Sequence, residues 1–76
     1  MEYVRVLFPE QRRVIIDDVD TGQETGDVIH VEGGNHLISL SGSQDFEPPS
    51  REVVIENSSV LDPLEVKFIK RESGGG

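Results

Sequence analysis

The chain has 76 residues and no cysteine, so it is expected to form one small domain held by strand pairing and a compact aliphatic core. Fifteen acidic residues against seven basic ones give a formal net charge of −8, which argues against nucleic acid and anionic membrane surfaces as partners. No apolar run approaches the roughly 20 residues that span a bilayer, so we expect no membrane insertion.

Short apolar runs separated by turn residues predict about six strands. In chain order they cover residues 3–8, 13–17, 28–31, 36–41, 51–56 and 64–70. The intervening segments 17–27 and 41–50 are polar or contain Gly and Pro, which predicts loops. No stretch has the periodicity of an amphipathic helix. The pattern predicts an all-β fold, a small sandwich or open barrel of mainly antiparallel strands, with residues 1–72 as a single domain and 73–76 as a flexible tail or linker.

The segment 28–40, Val-Ile-His-Val-Glu-Gly-Gly-Asn-His-Leu-Ile-Ser-Leu, predicts a β-hairpin, because two alternating runs flank a pair of glycines. Glycine reaches the positive φ angles of a tight hairpin turn without strain. The expected register places Val31 opposite His36. We therefore expect a structural turn that binds no ligand, formed by Glu32, Gly33, Gly34 and Asn35.

The alternation also predicts which side chains form the core. The expected core residues are Ile16, Ile29, Val31, Ile38, Leu40, Val53 or Val54, Ile55, Val66 and Phe68. Phe46 is expected to close one end of the core, while Pro48 and Pro49 stiffen its loop.

No arrangement of polar residues predicts catalysis or metal binding. The acidic segment contains Asp17, Asp18, Asp20, Glu24 and Asp27, but its spacing does not match a calcium-binding loop. A Ser-His-Asp triad could be drawn from Ser39, Ser41 or Ser43 with His30 or His36, but the chain has no nucleophile elbow. The basic pairs Arg12-Arg13 and Lys70-Arg71 are expected to be solvated strand ends. We expect no catalytic residue, no cofactor and no metal.

The order of motifs resembles the PEGA family of small β-sandwich domains. The motifs are an aliphatic run ending in Asp17, then Gly22, Ile29-x-Val31-Glu32-Gly33-Gly34, His36-x-Ile38-x-Leu40, Phe46, Val53-x-Ile55 and Val66-x-Phe68. Glu32 and Gly33 match the two central letters of the family's Pro-Glu-Gly-Ala turn, and Asp18 stands where the family's Ile-Asp-Gly turn has glycine. The resemblance implies an accessory module of cell-envelope or surface proteins without catalytic residues.

The sequence thus predicts a non-enzymatic module that binds a protein or glycan or spaces other domains, as a monomer or weak dimer. It would lie in the cell envelope or outside the cell if it is part of a longer chain, and in the cytoplasm otherwise. The alternative is a ubiquitin-like or sulfur-carrier protein acting through its glycine-terminated tail. That fold needs a helix after the first hairpin, and four glycines between residues 17 and 35 disfavour one.

Overall fold

A computed structural model describes residues 1–71 of the chain. These residues form strands and contain no helix, which confirms the all-β prediction. The strands are β1 (Glu2–Leu7), β2 (Arg13–Ile16), β3 (Val19–Glu24), β4 (Val28–Val31), β5 (Gly34–Leu40), β6 (Phe46–Glu47), β7 (Arg51–Ile55), β8 (Leu64–Lys67) and β9 (Ile69–Lys70). The predicted tail, 73–76, lies outside the described residues.

The strands form a small, open sandwich. One sheet has the order β4-β1-β8 and the other β3-β2-β5-β7, while β6 and β9 form a short ribbon. Every pair is antiparallel except β1 with β8, which run parallel. In both main sheets alternate side chains point inward to a common core, as the pleat of a strand requires.

The core contains eleven buried side chains. They are Val4, Val6, Val14, Ile16, Ile29, Ile38, Leu40, Phe46, Ile55, Val66 and Phe68. Of the residues predicted to be buried, Val31 and Val53 are only partly buried and Val54 is 56% exposed, so Val53 is the inward residue of its pair. The prediction left out the three valines of β1 and β2. These strands each have a neighbour on both sides, and a single sequence does not say which strands are central.

The predicted hairpin between β4 and β5 is wrong, because these two strands lie in different sheets. Val31 is opposite Glu2 of β1, and His36 is opposite Val53 of β7. The backbone angles also argue against a hairpin turn centred on the two glycines, since Gly34 has a φ of 121° whereas the φ of Gly33 is not positive. Both favoured types of two-residue hairpin turn need a positive φ at the first central residue, which here would be Gly33.

Alternation of apolar residues fixes which face of a strand is buried, but it does not fix which strand pairs with it. Ile29 and Ile38 therefore do meet the same core, as predicted, but they reach it from opposite sheets. Of the four residues predicted to form the turn, only Glu32 and Gly33 connect β4 to β5 across the edge of the sandwich, because Gly34 and Asn35 already pair with β7.

The acidic segment after β2 was expected to be a long loop and instead contains a strand. Asp17 and Asp18 have φ angles of 53° and 65°, which makes them the two central residues of a tight hairpin turn between β2 and β3. Aspartate tolerates this left-handed conformation better than most residues because its short side chain can hydrogen-bond nearby backbone. The Asp17 side chain bonds instead to the neighbouring strand β5, since its Oδ1 accepts a 2.9 Å hydrogen bond from the Leu37 backbone amide.

Candidate functional site

The predicted structural turn at residues 32–35 packs against the first strand. A β-carbon added to Gly33 would lie 3.4 Å from Cγ of Glu2, so the backbone passes close to β1 here. The Glu32 carbonyl oxygen accepts a 2.7 Å hydrogen bond from His36 Nε2. Glu32 and Asn35 are exposed.

His36 connects this turn to the β2–β3 turn. Its Nδ1 donates a 2.7 Å hydrogen bond to Asp17 Oδ2, while Nε2 donates to the Glu32 carbonyl. Both ring nitrogens face acceptors, so both must carry protons and the imidazolium form is favoured. The Asp17 carboxylate, followed by the Glu32 carbonyl, raises the pKa of His36. The Leu37 amide, followed by His36, lowers the pKa of Asp17.

The serine and histidine residues of the hypothetical triad are not brought together. His36 has both nitrogens occupied by other partners, and the Ser41 hydroxyl oxygen accepts a 3.1 Å hydrogen bond from the Arg13 amide. The His30 ring stacks on the Tyr3 ring with centroids 5.0 Å apart. These side chains have structural contacts, and within residues 1–71 none of them forms a nucleophile–base pair.

The acidic segment is also engaged in structural contacts. Asp20 faces Arg13 at 3.4 Å, and an oxygen of Asp27 accepts a 3.0 Å hydrogen bond from the Glu24 amide. Within residues 1–71, no group of three or more His, Asp or Glu residues is placed to hold a metal ion.

The basic pairs expected to be solvated are only partly so, because Arg12 and Lys70 belong to an ionic cluster. Arg12 Nη2 lies 2.7 Å from Glu10 and 2.6 Å from Asp45, and Lys70 Nζ contacts the same two carboxylates at 2.7 and 2.6 Å. Only 16% of the Arg12 side chain is exposed. The Arg12 guanidinium, followed by the Lys70 ammonium, lowers the pKa of Asp45 to about 2. The cluster joins the β1–β2 connection to the loop before β6 and to β9.

The loop between β7 and β8 was expected from the sequence but was not singled out as a site, and it is anchored to β1. The Ser58 amide and hydroxyl donate hydrogen bonds of 2.8 and 2.6 Å to Glu2 Oε1. The Tyr3 amide donates to the Ser58 hydroxyl oxygen at 2.8 Å. The two hydrogen bonds that Ser58 donates to the Glu2 carboxylate lower the pKa of Glu2. Ser58 is thus bonded to β1 in three ways.

Beyond Ser58 the loop closes on itself and displays two aliphatic side chains. The amide of Ser59 donates to the Asp62 carbonyl, and the Asp62 amide donates to the Ser59 carbonyl, both at 3.1 Å. Val60 and Leu61, at the centre of this turn, are 58% and 93% exposed. We call these two residues the apolar tip. A cleft of about 380 Å³ at its base is lined by the acidic residues Glu56, Asp62 and Glu65 and by Arg5, which lies 3.8 Å from Glu65.

A second surface feature lies at the other end of β1. An open groove of about 590 Å³ is lined by Leu7, Phe8, Pro9, Lys67, Phe68, Ile69 and Lys70, and we call it the terminal groove. Ile69, one of the residues that line the groove, is 62% exposed. Beneath the groove, the Phe46 ring packs edge-on against Phe8 and Phe68, with centroids 6.1 and 5.6 Å away. This packing confirms that Phe46 closes one end of the core.

Comparisons with protein-family models, curated proteins and solved structures found no match. The structure has no helix within residues 1–71 that is long and apolar enough to cross a membrane. Because no related protein indicates a function, we infer one from the surface features of the described residues. The sequence signal for the apolar tip was the Val-Leu pair within the polar loop 57–63, which lies outside both neighbouring strands.

Proposed function

We propose that this chain is a non-enzymatic β-sandwich module that binds a partner protein through the apolar tip. The observation that carries the proposal is the exposure of Val60 and Leu61 on a turn that is closed by its own hydrogen bonds and tied to β1 through Ser58. Functional residues often lie on loops positioned by a rigid scaffold. Such preorganisation reduces the entropy lost when the tip is ordered in a complex.

The surroundings of the apolar tip indicate the chemistry of the partner. Glu56, Asp62 and Glu65 border it, so a partner with an apolar pocket and basic side chains at the rim would be complementary. The same carboxylates disfavour an anionic membrane surface. A protein fits better than a glycan, since sugar rings usually pack on exposed aromatic faces. Tyr3 is the only tyrosine, the chain has no tryptophan, and the Tyr3 ring stacks on His30.

The proposal includes the accessory role that the PEGA resemblance implies, in a cell-envelope or surface protein. A local feature supports the resemblance: Asp18, which stands where the family has glycine, has a φ of 65°. The ubiquitin-like alternative receives no such support, because the described residues lack the helix that this fold needs. The absence of a serine–histidine pair within residues 1–71 supports a role without catalysis.

Site-specific photo-crosslinking in the producing cell tests the proposal. A photoreactive amino acid replaces Leu61, and in a matched control it replaces Val54, which is also exposed but lies on the outer face of β7. We expect a discrete crosslinked protein from position 61 and none from position 54. Its purified form should bind the wild type and Val54→Ser equally, and Leu61→Ser at least about tenfold more weakly, as for a hot-spot residue. Crosslinking at position 54 alone, or full binding by Leu61→Ser, would contradict the proposal.

A further inference from the structure

We infer that the partner of the apolar tip is the terminal groove of a second copy of this chain, so that the modules associate head to tail. The inference rests on the proposed function for the role of the tip, and it goes further by naming the occupant of the groove.

The tip and the groove lie at opposite ends of the molecule. The tip is anchored to Tyr3 at the beginning of β1, whereas Leu7 and Phe8 at its other end line the groove. Strand β8 runs parallel to β1, with Leu64 opposite Val4 and Lys67 opposite Leu7, and so leads from the tip to the groove. The molecule measures 43 Å in its longest direction and about half that in the other two.

The two ends have complementary chemistry. The tip presents two aliphatic side chains beside three carboxylates and one arginine, Arg5, whereas the groove presents apolar side chains beside two lysines. Lys67 is exposed and has no ion-pair partner among residues 1–71. Lys70 is already paired with Glu10 and Asp45, and Glu65 with Arg5, so the available pair is Lys67 of one copy with Asp62 of the other.

The groove has the size that its occupant needs. Its volume of about 590 Å³ lies within the range of pockets that bury whole small ligands, so it can receive the Val60 and Leu61 side chains. The contact involves one loop and one groove, which is smaller than a standard interface, and association should therefore be weak. Because different surfaces meet, each dimer keeps one free tip and one free groove, and further copies can add.

Sedimentation equilibrium with single variants and their mixture tests this arrangement. Leu61→Ser disables the tip and Ile69→Ser disables the groove, and both change exposed side chains. Wild type should show an average mass that rises between about 50 µM and 1 mM, the range expected of a weak interface. Each variant alone should remain monomeric. Their equimolar mixture should recover association, because an intact groove meets an intact tip, but should stop at the dimer.

The opposite results would overturn the inference. These are a wild type that stays monomeric over the whole range, a single variant that associates like the wild type, or a mixture that stays monomeric. Val54→Ser should associate like the wild type, and circular dichroism of each variant establishes that the fold is kept. If the wild type is monomeric while position 61 still crosslinks to another protein in the cell, the inference fails and the proposed function stands.

Discussion

His36 Nδ1 and Asp17 Oδ2 are 2.7 Å apart, and this hydrogen bond joins two residues that are 19 positions apart in the chain. Asp17 begins the turn between β2 and β3, and His36 follows the crossing between the sheets. The Glu32 carbonyl occupies the other ring nitrogen. The imidazolium thus connects both reversals of the chain at this edge of the sandwich.

This contact predicts a loss of stability at alkaline pH. Because the folded-state pKa of His36 is raised above its ordinary value of 6.5, its contribution is fully present below that pH and is lost as the pH rises through the folded-state pKa. We expect the urea midpoint of the wild type to fall between about pH 6 and pH 9, and that of His36→Gln to fall less. Equal changes in both proteins would rule out the contact as the cause.

The two glycines of the sheet crossing should respond differently to alanine. Gly34 has a φ of 121°, so Gly34→Ala should lower the free energy of unfolding by about 1 kcal/mol or more. The φ of Gly33 is not positive and an added β-carbon would make ordinary contacts, so Gly33→Ala should stay within about 0.5 kcal/mol of the wild type. Urea melts of both variants give the comparison. Equal losses would argue for the symmetric glycine turn that the sequence predicted.

Neighbouring residues of β5 test which face is buried. Ile38 is fully buried, and Ile38→Ala should cost about 2–5 kcal/mol, the usual effect of truncating a core aliphatic residue. Leu37 lies on the outer face and is exposed, so Leu37→Ala should cost less than about 1 kcal/mol. The free energy of unfolding in urea measures both. A larger loss of stability in Leu37→Ala than in Ile38→Ala would mean that the opposite face of β5 is buried.

The ionic cluster predicts part of the acid unfolding. Since the folded-state pKa of Asp45 is lowered from 3.8 to about 2, its contribution is present above pH 3.8 and is lost as the pH falls through about 2. Asp45→Asn should therefore be less stable than the wild type at neutral pH and lose less on acidification. Glu52→Gln, which removes a carboxylate from the outer face of β7, is the control. Melting temperatures from about pH 7 to pH 2 would decide this, and parallel curves for wild type and Asp45→Asn would contradict it.

The sequence predicted which face of each strand is buried better than it predicted which strands pair with each other. The alternation around Ile29 and Ile38 correctly placed both in the core, because the period of two is local. Pairing is a long-range property, so the strand that joins β4 could not be predicted from residues next to it. The β2–β3 hairpin was missed for a local reason, since two aspartates occupy turn positions where glycine is the usual signal.

The candidate site was harder to predict than the fold. Nothing in Val60 and Leu61 themselves shows that their loop is held at Ser58, because Ser58 bonds to Glu2, which is 56 residues away in sequence. Likewise, Arg12 and Lys70 were read as solvated because their partner Asp45 lies in a third segment. Side chains that are far apart in the sequence and come into contact only after folding have no characteristic spacing that a sequence pattern could show.

The hydrogen bonds of Ser58 and of the 59–62 turn hold the apolar tip on a fixed support, and backbone ¹⁵N relaxation of residues 59–62 measures whether it is rigid. If the turn is closed by its own hydrogen bonds and anchored to β1 through Ser58, its order parameters should match those of β1, at about 0.85. In Ser58→Ala they should fall, while those of β1 remain unchanged. Order parameters below about 0.6 at the wild-type tip would mean that the loop is flexible and that the apolar tip has no fixed support.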